Sequence, residues 1–301
     1  MRALITGGRG FVGTWLAETL RGRGDEVVVA DDEADVADGG AIGPVVAAAA
    51  PEAIYHLAAL SHVGESWTSP SMVLRVNVLG TAEVLAAARA LGSDPVVLVV
   101  SSSEVYGSVR PDQLPLGEDT PVAPVTPYAA SKAAAEQVAL QAWRGYGQRV
   151  VVVRPFNHIG PGQAPTFAVS ALARRIVQAR RDGATTLTVG TLTTRRDFTD
   201  VRDVVKAYRL LVEQARPGHV YNVCSGHDTA ISEIVGRLLE LSGAELTLEP
   251  DPSLVRPVDV PVLRGNHALL QEATGWKPEI PLDETLGDVL AYWETELGKG
   301  G

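Results

Sequence analysis

The chain has 301 residues, 46% of them hydrophobic, with 26 basic against 36 acidic residues and a net charge of -10. A chain of that length can bury a large core unaided, so neither disorder nor a small stapled scaffold is needed, and the acidic balance argues against nucleic acid as a partner. A single cysteine, Cys224, rules out an internal disulfide and a thiolate metal cluster; it fits a reducing cytosol and reads as a core residue.

In chain order, short β-branched runs at 2–6, 26–31, 53–57, 96–101 and 149–154 predict strands, and alanine-rich stretches at 11–23, 42–50, 71–91 and 127–146 predict helices between them. Strands alternating with helices predict an α/β fold, a Rossmann-type doubly wound parallel sheet covered on both faces, over residues 1–155. Beyond Pro155, proline and glycine cluster at 155–165 and 250–261, irregular stretches of the kind that face ligands. Residues 156–301 are therefore expected to form a smaller mixed α/β substrate-binding region, with a helix near 202–216 packing back on the first. The apolar stretch after Met1 is too short for a signal peptide and no run approaches membrane-spanning length, so a cytoplasmic protein without membrane contact is expected.

Thr6-Gly7-Gly8-Arg9-Gly10-Phe11-Val12-Gly13 follows the first strand and opens the first helix, the context a dinucleotide fingerprint requires. Gly7, Gly10 and Gly13 let the backbone turn tightly and approach a pyrophosphate, whose charge rests on helix N-terminal amides. Asp31, at the end of the second strand, can accept both adenosine ribose hydroxyls and would repel a 2'-phosphate, which favours NAD(H). Arg9 could hold such a phosphate, so NADP(H) stays open. Asp35 and Val36 lie where an adenine edge and ring could be met, or are ordinary loop surface.

Further on, Tyr128-Ala129-Ala130-Ser131-Lys132 follows Ser101-Ser102-Ser103-Glu104. Positions four apart share one helix face, so the Lys132 ammonium can favour the ionised Tyr128 phenol. One positive charge roughly 5 Å away at an effective dielectric of about 20 contributes some 3 kcal/mol, about two pKa units from an ordinary phenol near 10. Such a phenol is a usable acid beside a nicotinamide.

The glycine pattern, His56-Leu57-Ala58-Ala59, Asn77-Val78-Leu79-Gly80-Thr81, the serine run and the Tyr/Lys motif occur in one order that resembles the extended short-chain dehydrogenases/reductases acting on nucleotide sugars. That resemblance implies that Ser102 hydrogen-bonds the sugar oxygen, Tyr128 transfers the proton and Lys132 also holds the nicotinamide ribose. It implies too that Phe11, Val12, Leu57, Ala58, Ala59, Asn77, Ser101, Pro155 and His158 lie along the cofactor. Arg154-Pro155-Phe156-Asn157-His158-Ile159-Gly160-Pro161, the run from Arg195 through Asp203, and Arg256-Pro257-Val258-Asp259 are similar to the GDP-4-keto-6-deoxy-D-mannose reductases, and less so to the GDP-mannose 4,6-dehydratases. The likeness assigns Asn157, Arg196 and Arg256 to a nucleotide diphosphate, Asp259 to ribose hydroxyls, and Ser61, Ser103 and Glu104 to the sugar. A homodimer through helices 71–91 and 127–146 is the further expectation.

Arg196 could instead pair with Asp197, Asp200 or Asp203, Arg256 could sit in a loop salt bridge, and His62 could border the sugar or be a satisfied structural histidine. Two departures matter. Thr191 stands where the family carries asparagine, and Ser103 stands where dTDP-glucose dehydratases have an aspartate acid. Glu104, at the dehydratase base position, keeps a dehydratase or 4-epimerase with tightly held NAD as the alternative to a reductase. A non-catalytic cofactor-binding module is the third, remote reading.

Overall fold

The computed structural model describes residues 1–30, 35–38, 40–251 and 260–299. The five expected strands form as β1 (Arg2–Thr6), β2 (Glu26–Val29), β3 (Ala53–His56), β4 (Val96–Val100) and β5 (Val150–Pro155). The second half adds β6 (Asn157–Ile159), β7 (Thr186–Val189), β8 (Arg195–Asp200), β9 (Val220–Val223), β10 (Asp228–Ala230), β11 (Thr247–Pro250) and β12 (Val262–Leu263). The main sheet runs β2-β1-β3-β4-β5-β9, and every pair in it is parallel. Its central strands are continuous runs of Val, Ile and Leu because helices cover both faces and leave no solvated side to alternate with.

Helices Phe11–Gly22 and Val201–Gln214 cover one face, where Leu16, Leu20, Val204, Tyr208 and Leu211 pack on Leu98 and Val153. Helices Ile42–Ala49, Gly80–Ala90 and Pro127–Tyr146 cover the other through Val46, Val84, Leu85, Ala139 and Leu140. Both β9 and helix Val201–Gln214 come from beyond residue 155, so part of the first unit is built by residues that a cut at that position assigns to the second. The chain leaves β1 to one side for β2 and to the other for β3, which opens a crevice at the carboxyl ends of these strands.

The smaller region carries β10-β8-β12, with β6 also paired to β8, and a separate β7/β11 pair. Helices Ala168–Asp182, Ile231–Ser242 and Leu282–Gly298 pack there through Leu172, Ile176, Ile234, Leu238 and Leu290. Cys224 is buried, as expected of a core cysteine, and burial pushes its thiol up.

One element departs from expectation. The stretch predicted as one helix over 71–91 is α-helical at Pro70–Leu74, widens to a π-helical turn at Arg75–Leu79, and resumes at Gly80–Ala90. The wide turn carries Asn77, whose buried side chain reaches the backbone of Leu60 and the hydroxyl of Ser131.

Candidate active site

At the end of β1 the chain turns at Gly7 with φ +73°, and Gly10 N–H donates to the Gly7 carbonyl at 3.2 Å. A Cβ at Gly7 would lie 2.7 Å from Ala58 N, and one at Gly13 would lie 2.2 Å from the Gly7 carbonyl oxygen. Only glycine permits this approach of three backbone segments. Helix Phe11–Gly22 starts at Gly10 without a side-chain cap, so its first amides are available to a ligand.

Behind the turn, His56 is buried between Thr6 Oγ1 at 2.8 Å and Thr81 Oγ1 at 3.1 Å. Burial, assisted by the Lys132 charge, lowers its pKa to about 3, so it stays neutral and serves to join β1, β3 and helix Gly80–Ala90.

The serine run ends β4. Ser102 Oγ accepts from Glu104 N–H at 3.2 Å and so caps the short 3-10 turn Ser103–Tyr106. Helix Pro127–Tyr146 begins with Thr126 accepting from Ala129 N–H at 3.0 Å and with proline in its first turn, which sets Tyr128 at the start of the helix. Ser131 Oγ donates to the Tyr128 carbonyl at 2.7 Å and accepts from Asn77 Nδ2 at 2.9 Å.

A cleft of about 890 Å³ runs from the glycine turn past these groups into the smaller region. Its wall includes Gly7, Gly10, Phe11, Val12 and Gly13, then Leu57, Ala58 and Ala59, and at its centre Ser101, Ser102, Tyr128 and Lys132. Pro155 and His158 follow, with the His158 ring stacked on Phe11 at 6.1 Å. Ser61, Ser103, Glu104, Asn157 and Arg196 also line the cleft. Arg196 Nη1 donates to the Arg195 carbonyl at 2.9 Å, and the neighbouring carboxylates each have bonds of their own: Asp197 with Ser225 and Gly226, Asp200 with Arg202 and Thr285, Asp203 with Lys206 and Glu279 N–H. His62 both lines the cleft and caps a short turn, its Nδ1 accepting from Glu65 N–H at 3.1 Å.

Several of the expected residues sit away from this cleft wall or outside the described residues. Asn77 does not line the cleft; its amide is spent on Leu60 N–H at 2.8 Å, the Leu60 carbonyl at 3.1 Å and Ser131, so it joins the 58–61 loop to the tyrosine helix. Asp35 is an exposed turn residue accepting from Ala37 N–H, and Val36 is a core residue packed beside Gly80; neither lines the cleft. Asp31, Arg256 and Asp259 lie outside the described residues.

The electrostatics also differ from the simple Tyr/Lys picture. Lys132 Nζ donates to the Val100 carbonyl at 2.8 Å instead of turning to the phenol. Burial pushes Tyr128 up to about 12, with a Ser102 hydrogen bond lowering it and the Glu104 charge raising it. Desolvation is the largest of these effects because Tyr128 is buried, at 8% exposure. Burial likewise lowers Lys132 to about 8, partly opposed by Glu136.

Behind Lys132 lies a polar network that motif reading missed. Arg154 grips Glu136 with two bonds of 2.9 Å, Ser101 Oγ donates to Glu136 Oε1 at 2.5 Å, and Arg154 Nη1 reaches Tyr106 Oη at 3.1 Å. Arg175, Phe167, Thr194 and Tyr208 also line the cleft. Arg175 stands among other arginines on an amphipathic helix, a pattern that reads as solvent-facing until the helix is docked.

Residues 3–224 match the NAD dependent epimerase/dehydratase family. The chain belongs to that family. Within it, GDP-6-deoxy-D-mannose reductase of Pseudomonas aeruginosa is 41% identical over 248 residues, covering 82% of this chain and 82% of that protein. The solved structure of RMD from Pseudomonas aeruginosa complexed with NADPH has a TM-score of 0.89 and 37% identity, covering 98% of this chain and 100% of that one. UDP-glucose 4-epimerase of Thermus thermophilus, in complex with NAD, has a TM-score of 0.88 and 28% identity over 97% of this chain and 99% of that one. This family member's glycine cradle fits a nicotinamide dinucleotide: the side-chain-free turn faces the cleft, and Tyr128 and Lys132 lie further along the same wall.

Proposed function

We propose that the chain reduces the C4 keto group of a GDP-4-keto-6-deoxy-hexose to give GDP-D-rhamnose, using NADH or NADPH. The observation that carries this reading is the set Ser102, Tyr128 and Lys132 on one cleft wall between the glycine cradle and the arginine-bearing half. The activity of the Pseudomonas aeruginosa relative supports the choice of sugar nucleotide. When bound, the reduced nicotinamide supplies a hydride to C4. Ser102 Oγ donates a hydrogen bond to the keto oxygen, and Tyr128 gives that oxygen its proton, leaving a C4 hydroxyl. The Lys132 ammonium, one helical turn from Tyr128, stabilises the phenolate left behind.

A phenol held up to about 12 is protonated at neutral pH, which is the form a reduction needs at its start. An oxidation would have to start from the phenolate. On the other half of the cleft, Arg196 and Arg175 can grip a diphosphate through charge-assisted bonds in an otherwise acidic protein.

Glu104 on the cleft wall favours a second reading, a 4,6-dehydratase or 4-epimerase that reduces and reoxidises its own NAD within one turnover. Mixing the protein with GDP-4-keto-6-deoxy-mannose and NADPH or NADH, following the reduced nicotinamide band and identifying the product by NMR, separates the two. Stoichiometric oxidation of the cofactor is expected. Conversion of GDP-mannose without reduced cofactor would replace the reductase reading by the second one.

A cytosolic homodimer goes with this function. Trp67, Met72, Leu74 and Leu79 are exposed on the stretch that packs against the tyrosine helix, and Tyr146 is exposed at that helix's end. A second copy would cover them. Light scattering should give twice the chain mass, and a monomer at micromolar concentration would remove the dimer.

A further inference from the structure

Lys132 and Glu136 are one turn apart on the tyrosine helix, and both side chains turn inward, at 6% and 1% exposure. Glu136 is held from two other elements. Arg154, next to the cleft-lining Pro155 that ends β5, bonds both its oxygens at 2.9 Å. Ser101, between the Val100 carbonyl that takes Lys132 Nζ and the catalytic Ser102, donates to it at 2.5 Å. Through Arg154 Nη1 the same carboxylate is tied to Tyr106, at the end of the turn that Ser102 caps.

One carboxylate thus joins the elements that carry Ser102, Lys132 and Pro155. We infer that Glu136 is a positioning residue for the reduction: through Ser101 and Arg154 it holds the strand end whose Val100 carbonyl receives Lys132, and its carboxylate one helical turn away supports the ammonium. This rests on the reductase reading only in calling Lys132 catalytic.

The charges around Lys132 can be named element by element. Glu136 acts on it from its own helix and His56 faces it from β3; Tyr128 lies one turn earlier on that helix, with Glu104 acting on the phenol, and Arg154 comes from β5 onto Glu136. His56 is neutral and Tyr128 protonated near pH 7, and Arg154 is spent on Glu136. Glu136 is the charge that supports the ammonium, and burial opposes it. Since Arg154 shares that carboxylate, the effect belongs at the low end of what an adjacent opposite charge does, about one pH unit.

The test compares Glu136→Gln with Glu136→Asp. Gln keeps the size and an acceptor for Ser101 but removes the charge; Asp keeps the charge and disturbs the packing. The pH profile of single-turnover hydride transfer in wild type should fall on its alkaline side as Lys132 deprotonates. In E136Q that limb should move down by about one pH unit, whereas E136D should hold the wild-type limb even at reduced rate. The second readout is independent of catalysis: the Lys132 side-chain NMR titration, taken without substrate, should shift by the same amount in E136Q. A rate loss at all pH values with limb and titration unmoved would reduce Glu136 to a packing role and overturn the inference. A shifted lysine titration in a protein that reduces no GDP-sugar would instead strike only the reductase reading. If neither variant folds, the wild-type titration decides: a Lys132 already neutral at pH 7 refutes a carboxylate that supports its charge.

Discussion

Replacing Lys132 by methionine should make the protein more stable at neutral pH while destroying its activity. The ammonium is 6% exposed, and burial lowers its pKa from 10.5 to about 8. That fall corresponds to about 3 kcal/mol of cost for keeping the charge inside the fold. Methionine preserves the stem's packing but removes the donor to the Val100 carbonyl, a loss of about 1–2 kcal/mol, so a net gain of about 1–2 kcal/mol is expected at pH 7. Glu136 keeps Arg154 and Ser101 and is not stranded by the change.

The pH dependence gives the sharper test. Below pH 8 the lysine is protonated in both folded and unfolded chains, so the full cost is present. Between 8 and 10.5 the unfolded chain still binds a proton that the folded one has released, and wild-type stability rises with pH. Above that window both forms are neutral and the cost is gone. The variant's advantage should therefore shrink across the window by about 3 kcal/mol in total and change sign. Urea unfolding of both proteins, followed by tryptophan fluorescence at about pH 7 and about pH 10, measures the difference. A Lys132→Met protein less stable than wild type at pH 7, or a gap that ignores pH, would refute the argument.

Tyr128→Phe should lower turnover about 100-fold or more and leave NADPH affinity within about twofold, read by steady-state kinetics and calorimetry, because only the proton donor is lost. Gly13→Ala should abolish dinucleotide binding in a fluorescence titration, since the new Cβ would meet the Gly7 carbonyl oxygen at 2.2 Å; unchanged binding would remove the cradle from the cofactor site. Arg196→Ala and Arg175→Ala should each weaken GDP binding by about 1.5–3 kcal/mol in calorimetry while sparing NADPH, as expected of lost charge-assisted bonds. Undiminished GDP affinity in both would put the diphosphate elsewhere.

The alternating pattern and the glycine run were sufficient to specify the parallel sheet and the tight turn after its first strand, because backbone period and left-handed turns are local properties written in residue type, whereas the crevice follows from strand order. The structure adds that Thr126 and Pro127 start the helix just before Tyr128, while the spacing of the Tyr/Lys motif already puts Lys132 one turn on along it. What lay beyond the sequence was how much water these groups lose. The Lys132 amine turns to Val100 and the Tyr128 phenol rises instead of falling, since desolvation is a property of the assembled cleft and no spacing rule contains it. Asn77 carried a family motif but spends its amide on Leu60 and Ser131, and Arg175, which no motif singled out, reaches the cleft through the docking of its helix. Glu136 and Arg154 lie 18 residues apart and meet only because β5 runs beside the tyrosine helix, so their pairing was decided by packing.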